Sequence, residues 1–122
     1  MATGGSFGEF LQDQLRPLGD VTVRRMFGGA GVWCDGLMFG LVSDDTLYFR
    51  VDDGNRAAFE AEGLAPFTYD GKGRTIMLPY WRVPERLFDE PDEMIVWARA
   101  ALAAARRVAE RKKSKPKSRR GR

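Results

Sequence analysis

The chain has 122 residues, of which 43% are hydrophobic and 11% aromatic, enough for one folded domain with its own core. One cysteine and no histidine exclude an intramolecular disulfide and leave out the usual ligands of zinc, copper and haem, so we expect no metal and no cofactor. No stretch reaches about 18 consecutive apolar residues, and the N-terminus lacks a secretion signal. We therefore expect a cytoplasmic protein that does not enter a membrane.

The charge is unevenly distributed along the chain. Residues 111–122 hold eight Lys or Arg and no acid, so residues 1–110 carry a net charge of −5. We predict one domain over 1–110 and a basic, disordered tail over 111–122. The tail either solubilises the chain or binds nucleic acid weakly and without sequence preference, and both alternatives stay open. Its candidate nucleic-acid contacts are Arg111, Lys112, Lys113, Lys115, Lys117, Arg119, Arg120 and Arg122.

The first half of the chain predicts a helix followed by a meander of strands. Ser6 and Glu9 form a capping-box pattern, and apolar residues follow at helical spacing as far as Leu18. From residue 21 the apolar residues alternate with period two, which is typical of strands. Glycines at 28, 29 and 31 predict a turn or bulge, and the pairs at 35–36 and 44–45 predict two further turns.

The second half predicts a short helix and a second hairpin. Asp52 or Asp53 is the expected cap of a helix that ends at Gly63. Two alternating runs flank a turn over residues 70–73, and Pro79 indicates that the second run is an edge strand or a bulged one. The predicted fold is therefore α+β, with an antiparallel sheet of about five to six strands and packed helices.

The last predicted helix begins at Pro91 with acids in its first turn. From Met94 to Ala105 few positions are polar, so more than one face of this helix requires cover. A small sheet supplies only part of that cover, and we therefore expect a homodimer.

A series of short strings carries a family resemblance. The strings are RRMFGG at 24–29, DGLMFGLV at 35–42 and DDTLY at 44–48, and shorter ones continue to WAR at 97–99. In this order the chain resembles, over residues 5–107, the N-terminal domain of the TfoX/Sxy competence regulators. The resemblance implies an α+β domain of secretion-chaperone-like architecture. It also implies a regulatory role in transcription of DNA-uptake genes, alongside an activator that responds to cyclic AMP.

We expect this chain to be a stand-alone version, with the basic tail in place of the family's second, helical domain. The leading prediction is a non-enzymatic binding domain that contacts a protein partner, such as the transcription machinery or an activator. The alternative is a homodimeric adaptor or chaperone-like protein that is unrelated to transcription.

No catalytic residue is predicted. The acid pairs at 44–45, 52–53 and 89–90 lie where turns and helix caps favour aspartate, and Cys34 is expected in the core. Gly71-Lys72-Gly73 lacks the spacing and the Ser or Thr of a phosphate-binding loop.

The candidate partner contacts are Arg24, Arg25, Gly28, Gly29, Arg50, Tyr80, Trp81 and Arg82. Arg24 and Arg25 lie on opposite faces of a strand, where one of them is expected to be partly buried. One interpretation is that they bind a partner or an anion, together with the backbone N–H groups of residues 28–31. The other, which we favour, is that they form a structural ion pair with an aspartate. Trp81 either contacts a partner or packs in the core.

Overall fold

The computed structural model describes residues 6–26 and 28–114, and in them six antiparallel strands form one sheet. The strands are β1 (Val21–Met26), β2 (Gly29–Cys34), β3 (Leu37–Ser43), β4 (Thr46–Arg50), β5 (Pro66–Gly71) and β6 (Arg74–Arg82). The helices are α1 (Ser6–Gln14), α2 (Arg56–Ala61) and α3 (Pro91–Ser114), with 3₁₀ turns at Arg16–Leu18 and Glu85–Asp89. The predicted α+β class and strand number are confirmed.

Three two-residue turns join neighbouring strands, and all six of their residues have positive φ. The angles are 55° and 75° at Asp35 and Gly36, and 52° and 54° at Asp44 and Asp45. The third turn, Lys72-Gly73, has angles of 46° and 81°. Turns with two positive φ angles match the right-handed twist of the strands that they join, and Asp, Asn and Gly tolerate this conformation best. The hairpins predicted from Asp-Gly and Asp-Asp are therefore confirmed.

The last hairpin enters the sheet out of chain order. The spatial order is β1-β2-β3-β4-β6-β5, so β6 is an interior strand and β5 forms the edge. Pro79 therefore does not mark an edge strand. The register between β5 and β6 shifts between Pro66 and Thr68, opposite this part of β6, and the Pro79 carbonyl accepts a hydrogen bond from the Val51 N–H at 3.0 Å. The missing N–H of proline is accommodated at a bulge, as the second alternative predicted.

The hydrophobic core lies between the helices and one face of the sheet. Phe39 and Phe49 lie on this face with ring centres 5.9 Å apart, and both are fully buried. Leu11 and Leu15 from the first helical segment and Met94 from α3 are equally buried in the same cluster. Cys34 is buried there too, as expected, and burial is the main cause that raises the pKa of its thiol. A raised pKa leaves it protonated and unreactive.

The apolar residues of α3 are covered within one chain. Ala98, Ala101 and Ala104 have no exposed surface, because α3 packs against β3, β4 and both 3₁₀ turns. Val96 is its one large apolar residue that stays exposed, at 63%. The helix therefore gives no further reason to expect a second copy. The homodimer stays a prediction, which the molar mass from light scattering tests against 13.7 kDa for one chain.

The loop before α2 differs from the predicted cap. Asn55, not Asp52 or Asp53, is the N-cap residue, and its side chain bonds the Asp52 N–H at 2.9 Å and the Arg50 carbonyl at 3.0 Å. The Asp52 carboxylate instead accepts the Gly54 N–H at 2.8 Å. Gly63 follows the helix with φ at 70°, as expected. Among the residues described, no helix is both long and apolar enough to cross a membrane.

Candidate functional site

The face of the sheet opposite the core carries no helix of residues 6–26 or 28–114. Cross-strand partners share a face, and the pairs Trp33–Met38, Leu41–Tyr48 and Arg50–Tyr80 all project away from the core. We call this surface the open face. Its larger side chains are Arg24, Met26, Trp33, Met38, Leu41, Tyr48, Arg50, Phe67, Tyr69, Arg74, Ile76, Leu78, Tyr80 and Arg82.

A groove of about 550 Å³ runs across the open face. Tyr80 is 8% exposed and contributes to the groove lining, and its hydroxyl donates to the Met38 carbonyl at 3.3 Å. Phe67 lines it from the bulge in β5, and Tyr48 packs edge-on against Phe67 at 5.0 Å between ring centres. The complete lining is Met26, Gly29, Met38, Leu41, Val42, Ser43, Phe67, Tyr69, Leu78 and Tyr80.

Two glycines of β2 make room beside the groove. A Cβ atom at Gly29 would lie 2.2 Å from the Val42 carbonyl oxygen, closer than any real contact. At Gly31 a Cβ would lie 2.9 Å from Trp33 Nε1 and 3.0 Å from the Met38 sulfur. Because β2 carries no side chain at these positions, the large side chains of its neighbours lie close to its backbone.

Arginine side chains lie on aromatic rings of the open face. The Arg24 guanidinium is 5.2 Å from the centre of the Trp33 ring, and that of Arg50 is 5.4 Å from the centre of the Tyr80 ring. These distances are typical of cation–π contacts. Among the residues described, Arg50 Nε and Trp33 Nε1 are buried without a hydrogen-bond partner. A buried donor without an acceptor costs free energy, so these two atoms are local weak points of the fold.

On the helix side the arginines are bonded to carboxylates instead. Arg107 binds both oxygens of Asp52 at 2.7 Å, which is the main reason that the pKa of Asp52 falls to about 2. Arg86 binds Glu93 at 2.9 Å and also binds Glu62, and it holds the pKa of Glu93 at about 2. These pairs tie α3 to the loops that precede α2 and that follow it.

The open-face arginines lack such partners. No ion pair among residues 6–26 and 28–114 includes Arg24, Arg50 or Arg82. The remaining residues of the chain contain no Asp or Glu side chain. These cations are therefore available to a ligand.

The structure brings together five of the eight residues that the sequence singled out for partner binding. Arg24, Gly29, Arg50, Tyr80 and Arg82 all lie on the open face or line its groove. The predicted set omits six further lining residues of the open face, namely Met26, Met38, Leu41, Phe67, Tyr69 and Leu78. Their signal in the sequence is that both phases of the strand alternation are apolar, which indicates a second apolar surface.

The other three predicted contacts lie elsewhere. Trp81 points to the core side, where its ring centre lies 6.2 Å from that of Phe59. Gly28 is exposed in the turn before β2, and Arg25 is exposed on the core-side face of the edge strand β1. Neither Arg24 nor Arg25 is buried, and neither forms an ion pair with an aspartate in the part of the chain described here. Both of those expectations are wrong: Arg24 lies on the Trp33 ring instead, and Arg25 is exposed on an edge strand.

The basic segment begins inside a helix. Arg111, Lys112 and Lys113 form the last turn of α3, where cations interact favourably with the helix dipole. The charge of Arg111 also contributes to the low pKa of Asp52. The predicted contacts Lys115, Lys117, Arg119, Arg120 and Arg122 lie outside the described residues, as does most of the predicted disordered tail.

Residues 6–26 and 28–114 bring no three His, Cys, Asp or Glu side chains together in a cluster that could hold a metal ion.

Comparison with known proteins agrees with this architecture. The family model of the TfoX N-terminal domain matches residues 13–105. The chain is 33% identical over 101 residues to the DNA transformation protein TfoX1 of Aliivibrio fischeri, covering 83% of this chain and 48% of that protein. It is 30% identical over 94 residues to the protein Sxy of Escherichia coli, covering 77% of this chain and 45% of that protein. The chain thus spans about half the length of these curated relatives, and it belongs to the TfoX N-terminal domain family.

Proposed function

We propose that the chain is a non-enzymatic regulatory domain that acts in the cytoplasm on genes of DNA uptake by binding a protein of the transcription machinery or an activator. The name of the Aliivibrio relative, a DNA transformation protein, supports the biological role. The apolar groove of the open face is the observation that supports binding as the mode of action.

The chemistry of the groove favours a binding role over a catalytic one. Met, Leu, Phe and Tyr make up most of its lining, with one serine and no carboxylate, lysine or cysteine. A serine or tyrosine can also act in catalysis when a base activates it, but the lining holds no base beside Ser43, Tyr69 or Tyr80. Protein interfaces are instead enriched in aromatic residues, methionine and arginine, and depleted of acids and lysine. The open face has that composition.

The test compares two aliphatic residues changed to lysine. Leu41→Lys places an unpaired ammonium in the groove, whereas Val96→Lys makes the same kind of change on an exposed position of α3. Each variant replaces the deleted gene in the source organism, and transcripts are sequenced. We expect wild type and Val96→Lys to restore the transcript levels and Leu41→Lys to fail, with both variants folded by circular dichroism.

Full restoration by Leu41→Lys would show that the groove does not carry the function. If deletion of the gene changes no transcript, the regulatory role itself is wrong, and the adaptor hypothesis gains support.

We also propose that residues 111–122 add weak, sequence-independent contact to nucleic acid. Neutralisation of about four to six phosphates by the eight cations gives a slope of roughly −4 to −5 for log affinity against log salt. Truncation after Ser114 removes five of these cations and leaves α3 complete, whereas truncation after Glu110 would also remove Arg111 from beside Asp52. We expect the chain ending at Ser114 to lose most of its affinity for duplex DNA in fluorescence anisotropy. Unchanged binding would show that residues 115–122 do not carry the contact and would assign it to residues 1–114.

A further inference from the structure

We propose that the groove receives an acidic amphipathic segment of the partner protein, whose apolar side chains enter the groove while its carboxylates bind Arg24, Arg50 and Arg82. This inference rests on the proposed function, since it specifies the chemistry of the protein that binds there.

The sign of the charge on the open face is the first reason. Its strand positions carry four arginines, Arg24, Arg50, Arg74 and Arg82, and no acid. Residues 1–110 as a whole have a net charge of −5, so these cations stand out against an acidic domain. A ligand of negative charge is attracted to this face and repelled by most of the remaining surface, which orients it on approach.

The geometry of the arginines is the second reason. Stacking on Trp33 and Tyr80 orients the guanidinium groups of Arg24 and Arg50 without using their hydrogen-bond donors on a carboxylate of this chain. A guanidinium that is already ordered loses less side-chain entropy when it binds a carboxylate with two hydrogen bonds.

Other occupants match these features less well. A second copy of the chain placed face to face would bring arginines against arginines, and the basic tail has the same sign of charge. Nucleic acid would satisfy the charge, and Tyr69, 47% exposed, offers one ring for stacking, but Tyr80 is only 8% exposed and the aliphatic Met26, Met38 and Leu78 give a base no ring to stack on. Aliphatic and aromatic side chains of a peptide fit that lining, as in other helix-in-groove complexes.

Four of the five methionines of the chain, all but Met1, provide a direct readout. Met26 and Met38 line the groove, whereas Met77 is exposed away from it and Met94 is buried in the core. With methyl-¹³C methionine, the NMR signals of the first two report on the groove and those of the other two serve as internal controls. The probes are two synthetic amphipathic peptides of equal length, with leucines at i, i+3, i+4 and i+7 and either glutamate or lysine at the polar positions, and an oligothymidylate.

We expect the glutamate peptide to shift the signals of Met26 and Met38 and to leave those of Met77 and Met94 in place. Its affinity at low salt should exceed that of the lysine peptide by about tenfold or more, and the difference should shrink as salt is added. Arg50→Gln should reduce this preference several-fold, while Arg99→Gln, an exposed arginine of α3, should leave it unchanged.

Equal affinity for the two peptides, no saturable shift with the glutamate peptide, or a shift of the groove signals by oligothymidylate alone would each overturn the inference. Binding of the lysine peptide in the groove would still leave the proposed function standing. Conversely, Leu41→Lys could restore the transcripts although the glutamate peptide binds in the groove of the wild-type protein. The proposed function would then be wrong, whereas the inference that the groove binds an acidic amphipathic segment would stand.

Discussion

On the helix-covered face of the sheet, aromatic rings are buried in the core, and arginines such as Arg107 are bonded to carboxylates. On the open face, aromatic rings line a groove, and two of the arginines lie on top of aromatic rings. Phe49 and Arg107 represent the first arrangement, and Tyr80 and Arg50 the second. The same residue types thus have two uses. Where other residues of the chain cover the rings and pair with the arginines, these side chains stabilise the fold. Where the chain provides no such cover or pairing, the same side chains remain available for binding.

The difference matters because burial and ion pairing contribute to folding only when both partners belong to the chain. Core rings lose all contact with water on folding, and the Arg107–Asp52 pair links α3 to the loop before α2. On the open face Tyr69 stays 47% exposed, and most other apolar side chains are only partly buried. Substitutions on the two faces should therefore separate stability from binding.

The largest effect should come from the core. Phe49→Ala removes a fully buried ring beside Phe39, and we expect the free energy of unfolding to fall by about 3–5 kcal/mol because a cavity remains. Urea titration of the folded signal measures it. The matched change on the open face, Tyr69→Ala, removes a ring that is 47% exposed and should cost less than about 1 kcal/mol. Similar losses for the two variants would mean that the open face is part of the stabilising core.

The next effect concerns the backbone beside the groove. In Gly29→Ala the new methyl group meets the Val42 carbonyl at 2.2 Å, so β2 and β3 must separate. We expect a loss of about 2–3 kcal/mol in thermal or urea unfolding, together with altered shifts of Met26. Gly71→Ala is the control, because a methyl group there makes only an ordinary contact, at 3.4 Å, and the stability should change by about 0.5 kcal/mol or less. A neutral Gly29→Ala would show that the two strands are not held as closely as described.

A smaller effect should come from the ion pair between Asp52 and Arg107. Folding lowers the pKa of Asp52 from 3.8 to about 2, so this stabilisation is complete above about pH 4 and is lost as the pH falls towards 2. Asp52→Asn keeps an acceptor for the Gly54 N–H and removes the charge. We expect about 1–2 kcal/mol less stability at pH 7, and a weaker loss of stability between pH 4 and pH 2 than in wild type.

Asp53→Asn is the matched control for that experiment. Asp53 pairs with Arg56 at 2.7 Å, but its side chain is 95% exposed, so its removal should leave stability nearly unchanged at every pH. Equal pH profiles for Asp52→Asn and wild type would show that another carboxylate, such as Glu93, dominates acid unfolding in this range.

The smallest effect should come from the open-face arginines. Arg24→Gln removes one cation–π contact and no ion pair of the described chain, so the free energy of unfolding should fall by about 0.5 kcal/mol. Binding of the glutamate peptide should weaken in the same variant. A loss of stability above about 1.5 kcal/mol would instead identify Arg24 as a structural residue.

At points where distant segments meet, the sequence leaves the outcome open or assigns it wrongly. The last hairpin lies at the end of the sheet, as the sequence predicts, but local pattern does not give the order of its two strands. β6 lies between β4 and β5, so of the two alternatives for Pro79 the bulge holds and the edge does not. The cap of α2 was assigned to an aspartate, but Arg107, 55 positions along the chain, binds the Asp52 carboxylate. α3 continues to Ser114, so the basic segment begins inside this helix, where its basic residues suit the negative end of the helix dipole.

The sequence by itself determined what depends on neighbours along the chain. The positive-φ turns at Asp35-Gly36 and Asp44-Asp45, the order of the helices and strands and the family strings are all local, so periodicity and turn chemistry predict them. Only the tertiary structure decided which phase of each strand faces the helices. Tyr80 and Trp81 are adjacent aromatic residues on opposite faces, and local pattern treats them alike. The packing of Phe59 against Trp81 and the absence of any helix opposite Tyr80 in the described chain assign one ring to the core and the other to the groove.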